Sequence, residues 1–169
     1  EETHLKPKPM IEIGGKPIIW HIMKRYSMYG IREFVICSGY MSHIIENYFK
    51  EKIEDWEVKV INTGKNTMTG GRLKRIEKYI ENETFCFTYG DSLNSENISE
   101  LIKFHKKSGK IATVTACHPP EKYGVLKLEN DMVKRFEEKP ARNNEWVNAG
   151  YFVLEPQIFN FIKDDSTIW

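Results

Sequence analysis

The sequence has 169 residues, 40% apolar and 29% charged, which is typical of one globular domain with a buried core. Its formal net charge of +1 argues against a nucleic-acid or membrane-surface binder, because such proteins carry a marked basic excess. Three widely spaced cysteines without metal or redox spacing, and no signal-like or membrane-spanning apolar run, predict a cytoplasmic protein with free thiols.

Hydrophobic spacing alternates between helical and strand patterns along the chain. Between Pro17 and Gly30 the apolar residues recur at helical spacing, so a helix is predicted there. Further elements are predicted in this order: strand 34–37, helix 44–49, strand 58–61, helix 73–80, strand 85–89, helix 98–109 and strand 111–116. This alternation predicts an α/β fold with a Rossmann-like, doubly wound, mostly parallel (mixed) sheet flanked by helices.

The pattern changes after Pro119 and Pro120. A hairpin is predicted from 123–128 and 132–136, followed by a strand at 148–154 and a helix that starts at Pro156. A parallel sheet of this kind normally opens with a strand and a phosphate-binding turn, but no strand pattern precedes the first helix. We therefore expect residues 1–169 to form a single domain that lacks its first strand and loop.

The segment 62–72, Asn-Thr-Gly-Lys-Asn-Thr-Met-Thr-Gly-Gly-Arg, joins a predicted strand to a predicted helix. Its glycines expose bare backbone against which a flat ligand can lie, and Arg72 supplies a planar cation suited to phosphate. Taken alone, such a turn is more often a plain strand-to-helix connection. Its combination with the two motifs described next favours a nucleotide site.

Asp91 follows the predicted strand 85–89, with Gly90 allowing a tight exit from the strand. Ligands of open parallel sheets bind beyond the carboxyl ends of the strands, and one carboxylate there suits magnesium with phosphate oxygens and water. The alternative is an Asx turn or the cap of a helix beginning near Ser95.

Lys8 lies between two prolines in Lys-Pro-Lys-Pro-Met, residues 6–10. Prolines fix the backbone and remove donors, which predicts a stiff extended segment that presents its lysines. A lysine held in this way is suited to neutralise phosphate charge in a transition state. The alternative is a solvated basic loop.

Residues beyond the sheet motifs suggest a sugar-phosphate site. At the end of the predicted hairpin, Glu138 is suited to sugar hydroxyls and Lys139 to a phosphate, although a charged strand end is usually only solvated. Asn148 and Gly150 open a strand with an amide and a small residue, and Gly124 offers a second point of close approach. Each of these signals is weak by itself.

Together the motifs resemble the sugar-phosphate nucleotidyltransferase family, which joins a sugar 1-phosphate to a nucleoside triphosphate. The family's motifs occur here in its order: Lys-Pro-Met (8–10), Gly-Lys-Pro (15–17), Gly-Asp (90–91), Tyr-Gly (123–124), Glu-Lys-Pro (138–140) and Asn-Ala-Gly (148–150). The Thr/Gly-rich segment 62–72 resembles the cytidylyl-transferring branch, whose members make CDP-glucose from CTP and glucose 1-phosphate.

The resemblance implies a role for each matching position. It implies that Lys8 and Asp91 are catalytic, with Asp91 binding Mg²⁺ and Lys8 a phosphate. It also implies nucleotide binding by Thr67, Gly70 and Arg72. The glucose 1-phosphate site, within about 119–155, would comprise Gly124, Glu138, Lys139, Asn148 and Gly150. Family members commonly form homo-oligomers and serve polysaccharide or O-antigen synthesis, and we expect the same here.

Three departures from the family pattern are visible. The family's opening Gly-Gly-x-Gly-Thr-Arg-Leu loop does not precede Glu1, and its second metal-binding aspartate would fall beyond Trp169. The connection from Phe49 to Trp56 is also shorter than in the cytidylyl branch. We therefore expect a domain that is incomplete at both ends. If these gaps are real, the 169-residue chain would not be a competent enzyme by itself; if they belong to a longer parent protein, the assignment as an enzyme applies to that protein.

The implied reaction is in-line attack of a glucose 1-phosphate oxygen on the α-phosphorus of CTP. It requires phosphate-binding cations and no nucleophile–base pair, which agrees with the residues present. Transfer from UTP or dTTP, and a non-catalytic sugar-nucleotide-binding domain, remain as alternatives. A dinucleotide-dependent oxidoreductase is disfavoured because no Gly-x-Gly-x-x-Gly turn occurs.

Overall fold

A computed structural model describes residues 5–118, 125–129, 132–137 and 146–169. Helices and strands alternate through most of the described chain. The strands are β1 (Glu12–Ile13), β2 (Lys16–Pro17), β3 (Glu33–Ser38), β4 (Glu57–Asn62), β5 (Phe85–Thr88), β6 (Ala112–Cys117), β7 (Val125–Glu129), β8 (Met132–Glu137) and β9 (Val147–Leu154). The α-helices are α1 (Ile18–Ser27), α2 (Ser42–Tyr48), α3 (Thr69–Arg75) and α4 (Ile98–Ser108).

The predicted α/β architecture and the predicted hairpin are confirmed, and most element ends agree within a few residues. Two local predictions were wrong. Helix α3 begins at Thr69, four residues before the predicted start, because amides of its first turn bond to Thr167 of another segment. Lys8–Met10 form a 3-10 helix instead of the predicted extended segment, since proline is well tolerated in a first helical turn. The helix predicted to start at Pro156 is present as the 3-10 helix Pro156–Phe161.

Strand pairing in the described residues is more antiparallel than the sequence predicts. Strands β3 and β4 form a parallel pair, whereas β9 lies between β5 and β6 and runs antiparallel to both. Strands β7 and β8 form the hairpin. The result is a mixed architecture, and the apolar pattern of β9 could not reveal its direction, since buried strands of either direction are short apolar runs.

Helices cover both faces of these strands. On one face, α1 contributes Ile19 and Met23 to a cluster with β3 and Ile22 and Tyr26 to a cluster with β9. On the other face, α3 contributes Leu73, which packs with alternate residues of β9 and with Phe159. The second half of β9, residues 150–154, is therefore buried on both sides, which explains why residues 151–154 are continuously apolar. None of the helices in the described ranges is long and apolar enough to cross a membrane.

An open cleft of about 670 Å³ separates β3 from β5. Its walls include Val35 and Cys37 of β3, Cys86 of β5, and apolar residues of α1 and α3. No ladder joins β3 to β5 in the described chain, so each strand has one unpaired edge facing the cleft. The cleft therefore runs along the unpaired edges of β3 and β5.

Candidate active site

The carboxyl end of β5 brings together the two predicted catalytic residues. Asp91 follows β5 directly after Gly90, and the Lys8 ammonium lies 3.8 Å from its carboxylate, with both side chains largely exposed. A Cβ on Gly90 would lie 3.0 Å from the Pro9 ring, so the glycine permits this close approach. The structure thus places a cation and a carboxylate at the strand end where ligands of such sheets bind.

Lys8 begins the 3-10 helix Lys8–Met10 and does not lie in the extended segment that the sequence predicts. Met10 donates to the Pro7 carbonyl at 2.8 Å, and Ile11 donates to the Lys8 carbonyl at 3.1 Å. Met10 is buried against α1, which fixes the turn while the Lys8 side chain remains exposed. Lys8 is therefore presented by a fixed backbone, although the backbone shape differs from the prediction.

Asp91 does not cap a helix in this structure, so this alternative to the metal-binding role is wrong. Helix α4 begins at Ile98, and its N-cap is Asn97, whose side-chain oxygen accepts from the Glu100 amide at 3.2 Å. Asp91 lies well before this cap. Its contact with Lys8 is a charge pair at the strand end, in which the Asp91 side chain remains partly exposed to solvent.

Asn148 and Gly150 of β9 lie beside the same strand end. The Asn148 side chain donates to the Tyr89 hydroxyl at 3.2 Å and accepts from the Gly150 amide at 2.7 Å. Gly150 has a φ of +79°, and a Cβ there would lie 2.9 Å from the Ser92 hydroxyl. Both the backbone angle and the close contact require glycine at this position. The other predicted sugar-phosphate residues, Gly124, Glu138 and Lys139, lie outside the described residues.

Segment 62–72, here called the turn segment, follows β4 at its carboxyl end. Arg72 points into this segment: its Nη1 donates to the Ser38 carbonyl at 3.0 Å and to the Thr63 hydroxyl at 2.8 Å. Its Nη2 lies 3.4 Å from the Lys65 carbonyl. In this structure Arg72 therefore cross-links the ends of β3 and β4, a role that the sequence did not predict.

The remaining predicted nucleotide residues are buried. Thr67 is 8% exposed and packs against Gly64, where a Cβ would lie 2.8 Å from the Thr67 hydroxyl. Gly70 donates its amide to the Thr167 carbonyl at 2.9 Å. A Cβ on Gly70 would lie 2.9 Å from the Thr167 side chain, so this face of the glycine is covered by the chain's own backbone.

The sequence did not reveal two residues, Gly39 and Asp165, that fix the conformation of the turn segment. Gly39 follows β3, and a Cβ on it would overlap the Arg72 guanidinium, so only glycine leaves room for Arg72. Asp165 forms a two-point ion pair with Arg75 in α3. The Ser-Gly pair that ends β3 was a visible signal of a tight approach. In contrast, nothing near Asp165 in the sequence points to Arg75.

Oxygen donors at the end of β5 fit magnesium better than a transition metal. No group of three or more His, Cys, Asp or Glu side chains with metal-ligating geometry occurs in the part of the chain that the structure describes. Asp91 offers a single, partly exposed carboxylate. A hard cation that retains water and takes phosphate oxygens needs only one or two such carboxylates. Asp91 is therefore a described carboxylate at this strand end that could hold a divalent cation.

Curated glucose-1-phosphate cytidylyltransferases are among the proteins that the chain resembles. The chain is 43% identical over 192 aligned positions to a glucose-1-phosphate cytidylyltransferase of Salmonella typhi, covering all of this chain and 75% of the relative. It is 37% identical over 191 positions to a probable glucose-1-phosphate cytidylyltransferase of Bacillus subtilis, with the same coverage. The chain therefore spans about three quarters of each relative.

Comparison with solved structures supports the fold. The crystal structure of HddC from Yersinia pseudotuberculosis superposes with a TM-score of 0.73 at 24% identity, covering 96% of this chain and 73% of that one. This likeness shows a shared architecture. The family model for nucleotidyl transferase matches residues 3–168, nearly the whole chain. The chain belongs to the nucleotidyl transferase family.

Proposed function

We propose that the chain is the catalytic domain of an enzyme that transfers a cytidylyl group from CTP to α-D-glucose 1-phosphate, giving CDP-glucose and pyrophosphate. The observation that carries this proposal is the 43% identity, over the whole chain, to a glucose-1-phosphate cytidylyltransferase. The pairing of Lys8 with Asp91 at the carboxyl end of β5 supports it, because ligands of such sheets bind at strand ends and a cation with a metal-binding carboxylate is suited to compensate phosphate charge.

The reaction forms one bond to phosphorus and breaks another. A phosphate oxygen of glucose 1-phosphate attacks the α-phosphorus of CTP, and the bond from that phosphorus to the bridging oxygen of the β-phosphate breaks. The electron pair leaves with pyrophosphate. Because two polyanions must meet, catalysis depends on positioning and on compensating negative charge.

The predicted site residues divide this work between a nucleotide site and a sugar-phosphate site. Lys8 is free to exchange its exposed contact with Asp91 for an oxygen of the transferred phosphate. Asp91 would hold Mg²⁺, which when bound compensates phosphate charge. Thr67, Gly70 and Arg72 would shape the nucleotide site, and the hydrogen bond from Arg72 to the Thr63 hydroxyl supports such a role for Arg72. Asn148 and Gly150, together with Gly124, Glu138 and Lys139, would bind the sugar phosphate.

Pyrophosphate release tests the proposal. The intact protein is assayed with Mg²⁺ and glucose 1-phosphate, with CTP, UTP, dTTP or ATP as the second substrate. Release that is selective for CTP supports cytidylyl transfer. Selectivity for UTP or dTTP would instead assign the protein to another branch of the family. No release with any nucleotide, from protein that still binds CTP, would favour a non-catalytic binding domain.

A further inference from the structure

Residues 164–169, here called the strap, lie against the outer side of the turn segment. The Met68 amide donates to the Asp165 carbonyl at 2.8 Å, and the Gly70 amide donates to the Thr167 carbonyl at 2.9 Å. The Trp169 amide donates to the Thr69 hydroxyl at 2.8 Å. The strap therefore satisfies amides at the start of α3 that have no partner within the helix.

Close packing accompanies these hydrogen bonds. A Cβ on Gly71 would lie 2.5 Å from the Asp165 Cα, so the two backbones touch where Gly71 has no side chain. The Trp169 ring lies 5.4 Å from the ring of Phe87 in β5 and 5.6 Å from that of Phe152 in β9. The strap thus connects the turn segment to the strand whose end carries Asp91.

Arg75 links the strap to the interior of the turn segment. Its Nε donates to Asp165 Oδ1 at 2.8 Å, its Nη2 donates to Asp165 Oδ2, and its Nη1 donates to the Thr63 carbonyl at 3.0 Å. A carboxylate that binds a guanidinium at two points fixes the orientation of its plane. Asp165 therefore orients the Arg75 guanidinium so that its Nη1 reaches the Thr63 carbonyl.

Thr63 connects Arg75 to Arg72, because its carbonyl accepts from Arg75 and its hydroxyl accepts from Arg72. Thr63 is fully buried, and its hydroxyl donates to the Ser38 carbonyl at 2.8 Å while it accepts from Arg72. The guanidinium groups of Arg75 and Arg72 thus hold Thr63 from two sides. A continuous series of hydrogen bonds runs from the Asp165 carboxylate through Arg75 and Thr63 to Arg72.

We propose that Asp165 is a positioning residue for nucleotide recognition, which acts through Arg75 on the shape of the turn segment. This inference rests on the proposed function, in which the turn segment contacts CTP. Asp165 itself need not touch the nucleotide, because its effect passes through the backbone of Thr63. Loss of its carboxylate should weaken binding of the nucleotide and leave binding of the sugar phosphate unchanged.

The test compares Asp165→Ala and Asp165→Glu in the intact protein by calorimetric titration with CTP, UTP and glucose 1-phosphate. Asp165→Ala should weaken CTP binding roughly 10-fold, the equivalent of one charge-assisted hydrogen bond, and reduce the preference for CTP over UTP. Asp165→Glu should restore part of the loss. Glu54→Ala is the matched control, because it removes an ion pair with Lys24, at 2.9 Å, away from the turn segment.

Amide hydrogen exchange of residues 68–71 in the same samples separates the possible outcomes. Faster exchange in Asp165→Ala together with selective loss of CTP affinity supports the proposal. Faster exchange with unchanged CTP affinity would overturn it, since the strap would then be purely structural. An equal loss of CTP and glucose 1-phosphate affinity would also overturn it. If the unmutated protein binds no CTP, the proposed function itself fails, whatever the exchange shows.

Discussion

The Lys8 ammonium lies 3.8 Å from the Asp91 carboxylate, although the two residues are far apart in the sequence. Both side chains are substantially exposed, 68% for Lys8 and 43% for Asp91. Exposed ion pairs of this kind contribute at most about 1 kcal/mol to stability. The pair therefore contributes little to stability, and the proposed function assigns both charges to a bound ligand.

Lys8→Ala should reduce turnover roughly 100-fold while it weakens binding of glucose 1-phosphate much less, because the lysine compensates charge that develops in the transition state. Steady-state kinetics with CTP and glucose 1-phosphate measure both effects, and urea unfolding checks that the fold is intact. Lys6→Ala is the matched control, since Lys6 lies in the same segment and pairs with Glu12 at 2.7 Å. Equal losses in turnover and binding would contradict a transition-state role for Lys8.

Asp91→Asn should raise the Mg²⁺ concentration needed for half-maximal activity, because an amide is a poorer ligand for a hard cation than a carboxylate. We expect at least the roughly 10-fold loss of metal affinity that removal of an outer-shell partner causes. The measurement is a Mg²⁺ titration of pyrophosphate release. Asp55→Asn, at a carboxylate that is 80% exposed, should behave like the unmutated protein. An unchanged Mg²⁺ dependence in Asp91→Asn would remove Asp91 as a metal ligand.

Stability should fall in acid because of a buried contact between α4 and the end of β9. His105 is 1% exposed, and its Nε2 lies 2.9 Å from the Glu155 carboxylate, which also accepts from Thr84 at 2.9 Å. Hydrogen bonding from His105 lowers the pKa of Glu155 below its ordinary value of 4.5. The stabilisation is therefore fully present above about pH 4.5 and is lost as the pH falls through the lower, folded-state pKa.

Glu155→Gln tests this dependence, because the amide oxygen still accepts both hydrogen bonds but does not titrate. Urea unfolding between pH 6 and pH 3 should show a shallower loss of stability in the variant than in the unmutated protein. The difference between the two proteins should be largest near pH 6 and should shrink toward pH 3. Glu51→Gln, at an exposed site, is the control. Parallel curves for all three proteins would contradict the assignment.

The three cysteines should differ sharply in reactivity. Burial raises the pKa of the Cys37 and Cys86 thiols to about 11 each, whereas Cys117 is exposed. A pKa of this size leaves roughly 0.1% of each half-buried thiol as thiolate at pH 8, and the thiolate is the reactive form. Ellman's reagent should therefore titrate one thiol quickly in the native protein and all three in denaturant. A fast phase that persists in Cys117→Ser would contradict this.

Local sequence patterns were sufficient for much of the fold. Helix α1 and strands β3, β4 and β5 follow directly from apolar spacing, and Gly109 ends α4 with a φ of +62° as its position suggests. These features depend on neighbouring residues, whose side chains share a helix face or a strand face. The direction of β9 could not be predicted, because it depends on which distant strands it pairs with.

The same distinction applies to the candidate site. The order of the motifs in the sequence was sufficient to identify the family. The residue types at the predicted strand ends led to the expectation that Lys8 and Asp91 serve phosphate chemistry. Only the tertiary structure decided that these two residues meet, that Arg72 turns inward to Thr63, and that the strap covers Gly70. The physical reason is that hydrogen bonds and close packing between distant segments leave no periodic signal in the sequence, whereas helix faces, strand faces and turns do.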